Sequence, residues 1–259
     1  MIWFIVFLLV FIVWFSYRYS WWKKTIDYKY PRILMYHMVR QHIKRNRYNS
    51  LRVDPKMFES QIKYLSENGW SSFTMSEAIA NRKILPAKSV IITFDDGYED
   101  NFTNAFPILK KYNFKATIYL VVERHDIGLK YERKLQDEQI EALIDSGLVE
   151  IGAHTVTHAN LLKLDENSSC DEICKSKTAI ENKFNIICNS FAYPFGAYKP
   201  SDMLCVKNCE YTSSVTTKSG IADLNDCNLY EIPRITVKGK DNLLAFKLKL
   251  KSGTKGAFK

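Results

Sequence analysis

The sequence predicts an α/β domain built on a parallel sheet and set behind one apolar amino-terminal span. Three observations lead there. Ile2 to Tyr17 contains no charged residue. From Arg32 onward, short apolar runs alternate with stretches of helical periodicity, the pattern of strands joined by crossover helices. The residues best suited to chemistry follow the carboxyl ends of those runs, the edge at which parallel α/β folds assemble their sites.

The amino-terminal run is dominated by Ile, Val, Leu, Phe and Trp. As a helix, Ile2 to Tyr17 would reach about 24 Å, and continuing it through Trp22 gives about 31 Å, close to the hydrocarbon thickness of a bilayer. Arg18 would snorkel at the boundary, with Tyr17, Tyr19, Trp21 and Trp22 as an interfacial belt. A cleaved signal peptide needs a basic start and a small-residue cleavage site, and this run has neither. Residues 1–22 therefore read as a retained single-pass anchor in the inner membrane. Arg18, Lys23, Lys24, Lys29 and Arg32 all follow the span, which places the rest of the chain on the cytoplasmic side.

In chain order, Arg32 to Tyr36 reads as a strand. Asp54-Pro55 opens a helix with an N-cap and Pro at the first position; Phe58, Ile62 and Leu65 line one face and Gly69 closes it. Ser76 to Asn81 is a short helix. Ser89 to Phe94 is a buried strand that stops at Asp95-Asp96-Gly97. A helix over Asn101–Tyr112 and a strand over Ala116–Val122 follow. The helix Asp137–Ser146 ends at Gly147, and the strand Val149–Ala153 stops at His154. The helix Glu166–Phe184 precedes a strand Ser190–Tyr193, which stops at Pro194-Phe195-Gly196. Pro200–Asn208 is helical, Tyr211–Thr216 extended, Glu231–Val237 the last strand, and Leu243–Leu250 a terminal helix. No linker or repeat divides residues 31–240, so they form one catalytic domain, with 241–259 as a basic amphipathic tail that could lie in an anionic interface or equally form a plain packing helix with solvated lysines. The sheet is either open or closed into a barrel.

A chain of 259 residues with 46% apolar and 14% aromatic residues can bury a large core, which excludes global disorder. The net charge of +9 suits an anionic partner without selecting one. The six cysteines include the pairs Cys170/Cys174 and Cys205/Cys209, each four apart and so on one helix face. Neither is a CxxC pair and no His follows at zinc-finger spacing, which disfavours structural zinc. A disulfide within either pair is geometrically awkward. Six free-looking cysteines in a chain large enough to fold without staples favour a reducing compartment, while remaining compatible with an oxidising one.

Asp95 and Asp96 directly follow an apolar strand. Two like charges at a partly buried strand end disfavour joint ionisation unless a cation compensates. A metal bound by one carboxylate leaves the other as a base. His154-Thr-Val-Thr-His158 supplies two imidazoles four apart, expected to converge on one side of a helical turn as in HExxH sites. With Asp96 they make a two-His, one-carboxylate set with positions left for water and substrate. Thr155 stands where the HExxH glutamate would be, so the base comes from elsewhere, and Asp95 is the candidate. In Phe191-Ala-Tyr-Pro-Phe-Gly196, Pro194 and Gly196 shape a tight turn whose N–H groups could face an oxyanion.

Taken together, Thr93-Phe-Asp-Asp-Gly97, His154-x3-His158 and Tyr193-Pro-Phe-Gly196 resemble the polysaccharide deacetylase (NodB-homology) family in order and spacing. The resemblance spans Arg32 to Val237 and implies a distorted (β/α) barrel. It further implies Asp95 as general base, Asp96, His154 and His158 as ligands of a divalent metal, most often zinc, and the Tyr193 N–H as an oxyanion donor. The sequence departs from the family at three places. Ala192 occupies a position that is Arg in many members, and Arg234 is the candidate replacement. The usual Asp-Trp segment is not evident, and no His follows His158. Leu34-Met-Tyr-His37 resembles the branch acting on biofilm exopolysaccharides, which makes His37 the candidate acid. His42 and His125 read as surface residues.

The reading that follows is a metal-dependent hydrolase removing the N-acetyl group from an N-acetylhexosamine of a membrane-associated glycan, lipid-linked on a polyprenyl phosphate or part of the envelope. Lipopolysaccharide or capsule modification is the expected setting. A deformylase of a lipid-linked amino sugar and an inactive glycan-binding module are the alternatives; the intact Asp95, Asp96, His154 and His158 set argues against the second. A nuclease would need a phosphate-tracking stripe with stacking aromatics, whereas these aromatics follow core periodicity or the membrane belt, so no nucleic acid is expected.

Overall fold

The structure, a computed structural model, describes residues 2–19, 21–123 and 132–254. His125 and residues 255–259 of the expected tail lie outside the described residues. The apolar run forms α1 (Ile2–Tyr19), 18 residues long with none buried. It stops short of the expected Trp22, and Trp21 and Trp22 lie in a turn beyond it. At 1.5 Å per residue it is about 27 Å long, short of a hydrocarbon core of about 30 Å by an amount that local thinning would absorb.

The body alternates as expected. β1 (Arg32–Tyr36) leads through two short strands, β2 (Met38–Val39) and β3 (Arg52–Val53), to α2 (Pro55–Glu67), which Asp54 caps through Lys56 N–H. Then come β4 (Ser71–Ser72), α3 (Met75–Ala80), β5 (Ser89–Asp95), α4 (Phe106–Tyr112), β6 (Ala116–Leu120), α5 (Asp137–Asp145) and β7 (Val149–Ala153). α6 (Glu166–Phe184), β8 (Ser190–Ala192), α7 (Pro200–Asn208), β9 (Ser213–Ser219), β10 (Ile232–Thr236) and α8 (Leu243–Ser252) complete it. Seven parallel strands, β1-β10-β9-β8-β7-β6-β5, close on themselves through β5 and β1, and β4 adds to β5. The barrel is thus closed rather than open. β2, β3 and β4 have two residues each, too short to leave a periodic signature in the sequence.

Strand alternation sorts the core into two layers. Leu34, Ile92, Phe94 and Ile118 pack outward with Ile62, Leu109 and Ile140 of the helices. Ile33, Ile91, Tyr119, Ala192, Val215 and Ile232 fill the interior, closed at the amino-terminal mouth by Met75, Ala78 and Ile79 of α3. Register then carries the functional residues to the other mouth. Tyr36 pairs with Phe94, Asp95 with Tyr119 and Leu120 with Ala153, so His37, Asp95, Asp96 and His154 emerge on one rim.

Three expectations need correction. The carboxyl-terminal segment is not a peripheral tail: α8 buries Ala245, Phe246, Lys249 and Leu250, and the Leu250 carbonyl accepts from Arg32 Nε at 2.7 Å. Arg32 is therefore a buried residue, donating also to the carbonyls of Ile26 and Asp27, and not a juxtamembrane surface charge. Burial lowers its guanidinium to about 10, against the partial support of Tyr28 and Asp27. The cysteines are not all free. α6 and α7 lie side by side, and the sulfurs pair between the helices as Cys170–Cys205 and Cys174–Cys209, leaving Cys188 and Cys227 as thiols. The awkward bond within each four-residue pair does not form because a partner one helix away is available. His42 is exposed as expected, although its Nε2 meets the Arg52 carbonyl at 2.9 Å.

Candidate active site

Asp95 ends β5 with its side chain turned into the barrel, where Arg234 of β10 meets it. Arg234 Nη1 and Nη2 donate to Asp95 Oδ1 and Oδ2 at 2.6 and 2.7 Å, a two-point pairing with both side chains buried. The guanidinium is itself fixed by Thr93 Oγ1 at 2.9 Å and the Thr216 carbonyl at 3.0 Å. The β9–β10 register shifts between Ile232 and Arg234, and Thr216 lies within that irregularity. Irregular ladders next to functional sites re-aim side chains, and this one turns a carbonyl to Arg234 Nε. Burial pushes the Asp95 carboxyl up, but Arg234, with help from His154 and His37, brings it below its ordinary range. It is held as a carboxylate.

Asp96 follows with φ of +75°, and Gly97 with +63°. A side chain at Gly97 would meet Leu120 Cδ2 at 2.6 Å, so the turn needs glycine for conformation and for space. The left-handed backbone at Asp96 directs its carboxylate away from Asp95 and toward the imidazoles. Asp96 Oδ1 lies 3.4 Å from His154 Nε2 and 3.2 Å from His158 Nε2. Thr155 and His158 also have positive φ, at +67° and +61°. The two His therefore converge through a strained loop and not through the expected helical turn. Glu172 of α6 holds that loop, accepting from the N–H groups of Val156 and Thr157 at 2.9 Å each.

Nδ1 of His154 lies 2.7 Å from the Ala192 carbonyl, an atom that only accepts, so Nδ1 carries the proton and Nε2 presents its lone pair. Burial raises the Asp96 carboxyl, yet the two imidazoles beside it bring it well below the usual range. Burial lowers His158, and His154 and Lys134 add to that against the opposing pull of Asp96. The three donor atoms lie within 4.8 Å of one another. Two imidazole nitrogens and one ionised carboxylate suit zinc or a similar divalent ion, so the residues fit the metal that the resemblance implies.

These groups open onto a cleft of about 390 Å³ lined by His37, Tyr48, Leu51, Asp95, Asp96, Tyr98, His154, His158, Phe195 and Thr217. Six of the seven expected site residues thus gather around one cavity or pair within it. Tyr193 is the exception. Its N–H donates to the Val215 carbonyl at 3.2 Å, and its hydroxyl to the Tyr230 carbonyl. Gly196 N–H is likewise engaged, with the Tyr193 carbonyl at 2.9 Å. The expected oxyanion role of Tyr193 does not carry over, because the sheet has taken the donor. What the turn does present is the Phe195 ring, 61% exposed at φ +60°, edge-on to His158 with ring centroids 4.6 Å apart.

Several participants escaped the sequence reading. Tyr98 adjoins Gly97 and could have been found by adjacency; burial and Asp96 keep its hydroxyl protonated. Lys134 donates to the Asp96 carbonyl at 2.9 Å and sits 3.7 Å from the Tyr98 ring centroid. Tyr48 and Leu51 come from the β2–β3 connection, which has no distinguishing pattern. Below the rim, Glu132 pairs with Arg40 and Arg52, and Asp100 accepts from Val39 N–H at 3.0 Å.

A closed parallel barrel bearing a carboxylate fixed by arginine, beside a carboxylate–imidazole cluster fit for a metal, defines a hydrolase of the carbohydrate deacetylase class. The polysaccharide deacetylase family matches residues 82–214, about half of the chain. A Bacillus subtilis (strain 168) protein provisionally named polysaccharide deacetylase YxkH is 35% identical over 221 residues, covering 84% of this chain and 75% of its own length. The poly-β-1,6-N-acetyl-D-glucosamine N-deacetylase of Staphylococcus aureus (strain MRSA252) is 29% identical over 203 residues, or 71% of this chain and 67% of that protein. Among solved structures, Streptococcus pyogenes deacetylase PplD in complex with acetate superposes with a TM-score of 0.76 at 26% identity, covering 88% of this chain and 99% of PplD. This chain belongs to the polysaccharide deacetylase family.

Proposed function

We propose that the chain hydrolyses the N-acetyl group of an N-acetylhexosamine in a membrane-associated glycan, carried on a polyprenyl phosphate or already part of the envelope. The observation that carries this reading is the juxtaposition, around one cleft, of the Asp95–Arg234 pair with the Asp96, His154 and His158 donors. The name of the Staphylococcus aureus relative supplies the amide of an amino sugar as the substrate class. The exposed apolar α1 supplies the membrane. We assign residues 1–22 to a single-pass anchor and the rest to one catalytic unit that includes α8.

Asp96, His154 and His158 would hold a divalent ion, zinc by their donor set, which when bound acidifies water and polarises the amide carbonyl. Asp95, kept ionised by Arg234, accepts the proton of the attacking water. Arg234 fixes both carboxylate oxygens, so the base keeps one orientation. His37, on the β1 side of the same cleft, protonates the departing amine. Phe195 and Tyr48 line the cleft and supply aromatic surface for the apolar side of a sugar. The cytoplasmic placement rests on Arg18, Lys23, Lys24 and Lys29 alone, since Arg32 is buried and four cysteines are paired.

The test is product analysis with the full chain in detergent. Acetate release from a polyprenyl-phosphate-linked N-acetylhexosamine, lost on chelation and restored by zinc, is the expected result. Formate release from an N-formyl sugar, with none of acetate, replaces the deacetylase by the deformylase. Turnover on soluble chitooligosaccharides but none on membrane extracts removes the lipid-linked substrate.

A further inference from the structure

Outside the lining of the cleft, α6 and α7 bring Cys170, Cys174, Cys205 and Cys209 together so that all four Sγ atoms lie within 4.8 Å of one another. In the structure they pair as two disulfides between the helices. The remaining separations are more informative. Cys170 to Cys174, Cys174 to Cys205 and Cys205 to Cys209 lie at 3.8, 3.7 and 3.7 Å. A tetrahedral ion with sulfur arms of about 2.3 Å sets its ligands about 3.8 Å apart. Cα separations of 5.7 and 5.5 Å across the helix pair bring each thiolate to a common centre. Cys205 is buried and the other three are half-buried, which limits water without closing the site.

We propose that in the reduced chain these four cysteines form a second metal site, a tetrathiolate that binds one zinc ion and staples α6 to α7. To reach that state, each disulfide takes two electrons and two protons from a dithiol reductant, which leaves as its own disulfide. The four thiols then release their protons as they bind the ion. Soft thiolates in a tetrahedron select zinc over the hard divalent cations. The two half-sites, Cys-x3-Cys on each helix, are one turn apart, so each helix contributes two ligands from one face. The same helices hold the active-site loops. Glu172, between Cys170 and Cys174, anchors the N–H groups of Val156 and Thr157, and Asp202 of α7 joins Ser169 Oγ to Lys199 N–H at 2.5 and 2.7 Å. A staple at the cysteines therefore braces the frame on which His154 and His158 sit.

Cobalt(II) alone is the probe, added to the full chain in detergent after reduction, with all thiols verified by alkylation and intact mass. The reduced wild type is expected to take up two equivalents, one of them with intense sulfur-to-cobalt charge-transfer and tetrahedral visible bands. Asp96, His154 and His158 offer no sulfur, so these bands cannot come from the cleft. Cys174→Ser with Cys209→Ser abolishes them and lowers the stoichiometry to one equivalent. In His154→Ala with His158→Ala, zinc is retained with four sulfur neighbours at about 2.3 Å by X-ray absorption. A fully reduced wild type that shows no sulfur-to-cobalt absorption at saturating cobalt overturns the proposal. That result leaves the deacetylase reading untouched, as loss of acetate release would leave the tetrathiolate untouched.

Discussion

Replacing Arg234 by methionine removes the cation from a fully buried ion pair while keeping a flexible apolar stem. Asp95 loses two charge-assisted hydrogen bonds, at 2.6 and 2.7 Å, each worth about 1.5–3 kcal/mol. The sum agrees with the about 3–5 kcal/mol that breaking a buried pair costs when one charge is stranded. The loss depends on pH. In the wild type the folded carboxyl lies below its unfolded value, so its stabilisation is present at neutral pH and vanishes as the pH falls through the folded value. Without Arg234, burial dominates and lifts the carboxyl above the unfolded value of about 3.9, so the variant loses stability as the pH rises past that point. The gap between the two proteins therefore widens from acid to neutral pH. Thermal unfolding of both, chelator-treated and measured across about pH 4 to 8, should give a gap that is small in acid and reaches about 6–20 °C at neutral pH for a chain of this size. The acidic limb of the pH–rate profile moves upward in parallel, because the base now binds its proton more tightly. A gap that stays flat with pH, or an unaltered pH–rate profile, refutes the assignment of Arg234 as the group that keeps Asp95 ionised.

Three further outcomes follow from the same geometry. His37→Ala should keep its metal and lose turnover by about 10²–10⁴-fold, as removal of a general acid does; near-normal turnover with metal bound ends the role. Burial raises the Asp100 carboxyl to about 7, with Val39 N–H, Arg40 and Arg52 working against it and Glu132 with it. The folded chain therefore holds that proton more tightly than the unfolded chain, stability falls between about pH 4 and 7, and Asp100→Asn should flatten this slope in Tm-versus-pH measurements; an unchanged slope assigns it to other groups. Gly196→Ala places a methyl 2.0 Å from Thr217 Oγ1 in a residue at φ +64°. Its left-handed backbone alone costs about 1–2 kcal/mol, and displacement of Phe195 should raise KM more than it lowers kcat; wild-type kinetics would show that the turn does not shape the cleft.

Much of the molecule was legible because its signals are local. The strands ending at Asp95, Ala153 and Ala192 are apolar runs cut off by turn residues, and the helix after Asp54-Pro55 carries its own cap. The Asp96, His154 and His158 cluster was readable because strand ends of a parallel sheet share one rim, so residues distant in sequence arrive together. Arg234 was found by asking which cation could replace the family's arginine, and the register of β10 carries it to Asp95.

What escaped the sequence was decided by hydrogen-bond competition and by neighbours far along the chain. Tyr193 was expected to offer its N–H to substrate, but whether an N–H is available depends on the adjacent strand, and the Val215 carbonyl claims it. The cysteine spacing within α6 and α7 showed a common face without showing that the two faces meet. The last helix looked like a basic surface segment because its lysines are explicit, whereas the acceptors that bury Lys249, Asp241 and the Thr236 carbonyl, lie on other elements. The sequence by itself determined the apolar span, the alternation of strand and helix, and which side chains are the candidates for acid–base chemistry and metal binding, since each is written in near-neighbour pattern. Only the closed barrel decided which of those groups face one cavity, which polar atoms remain free for chemistry, and which four sulfurs share a centre, because these depend on distances between residues that the chain brings together only when folded.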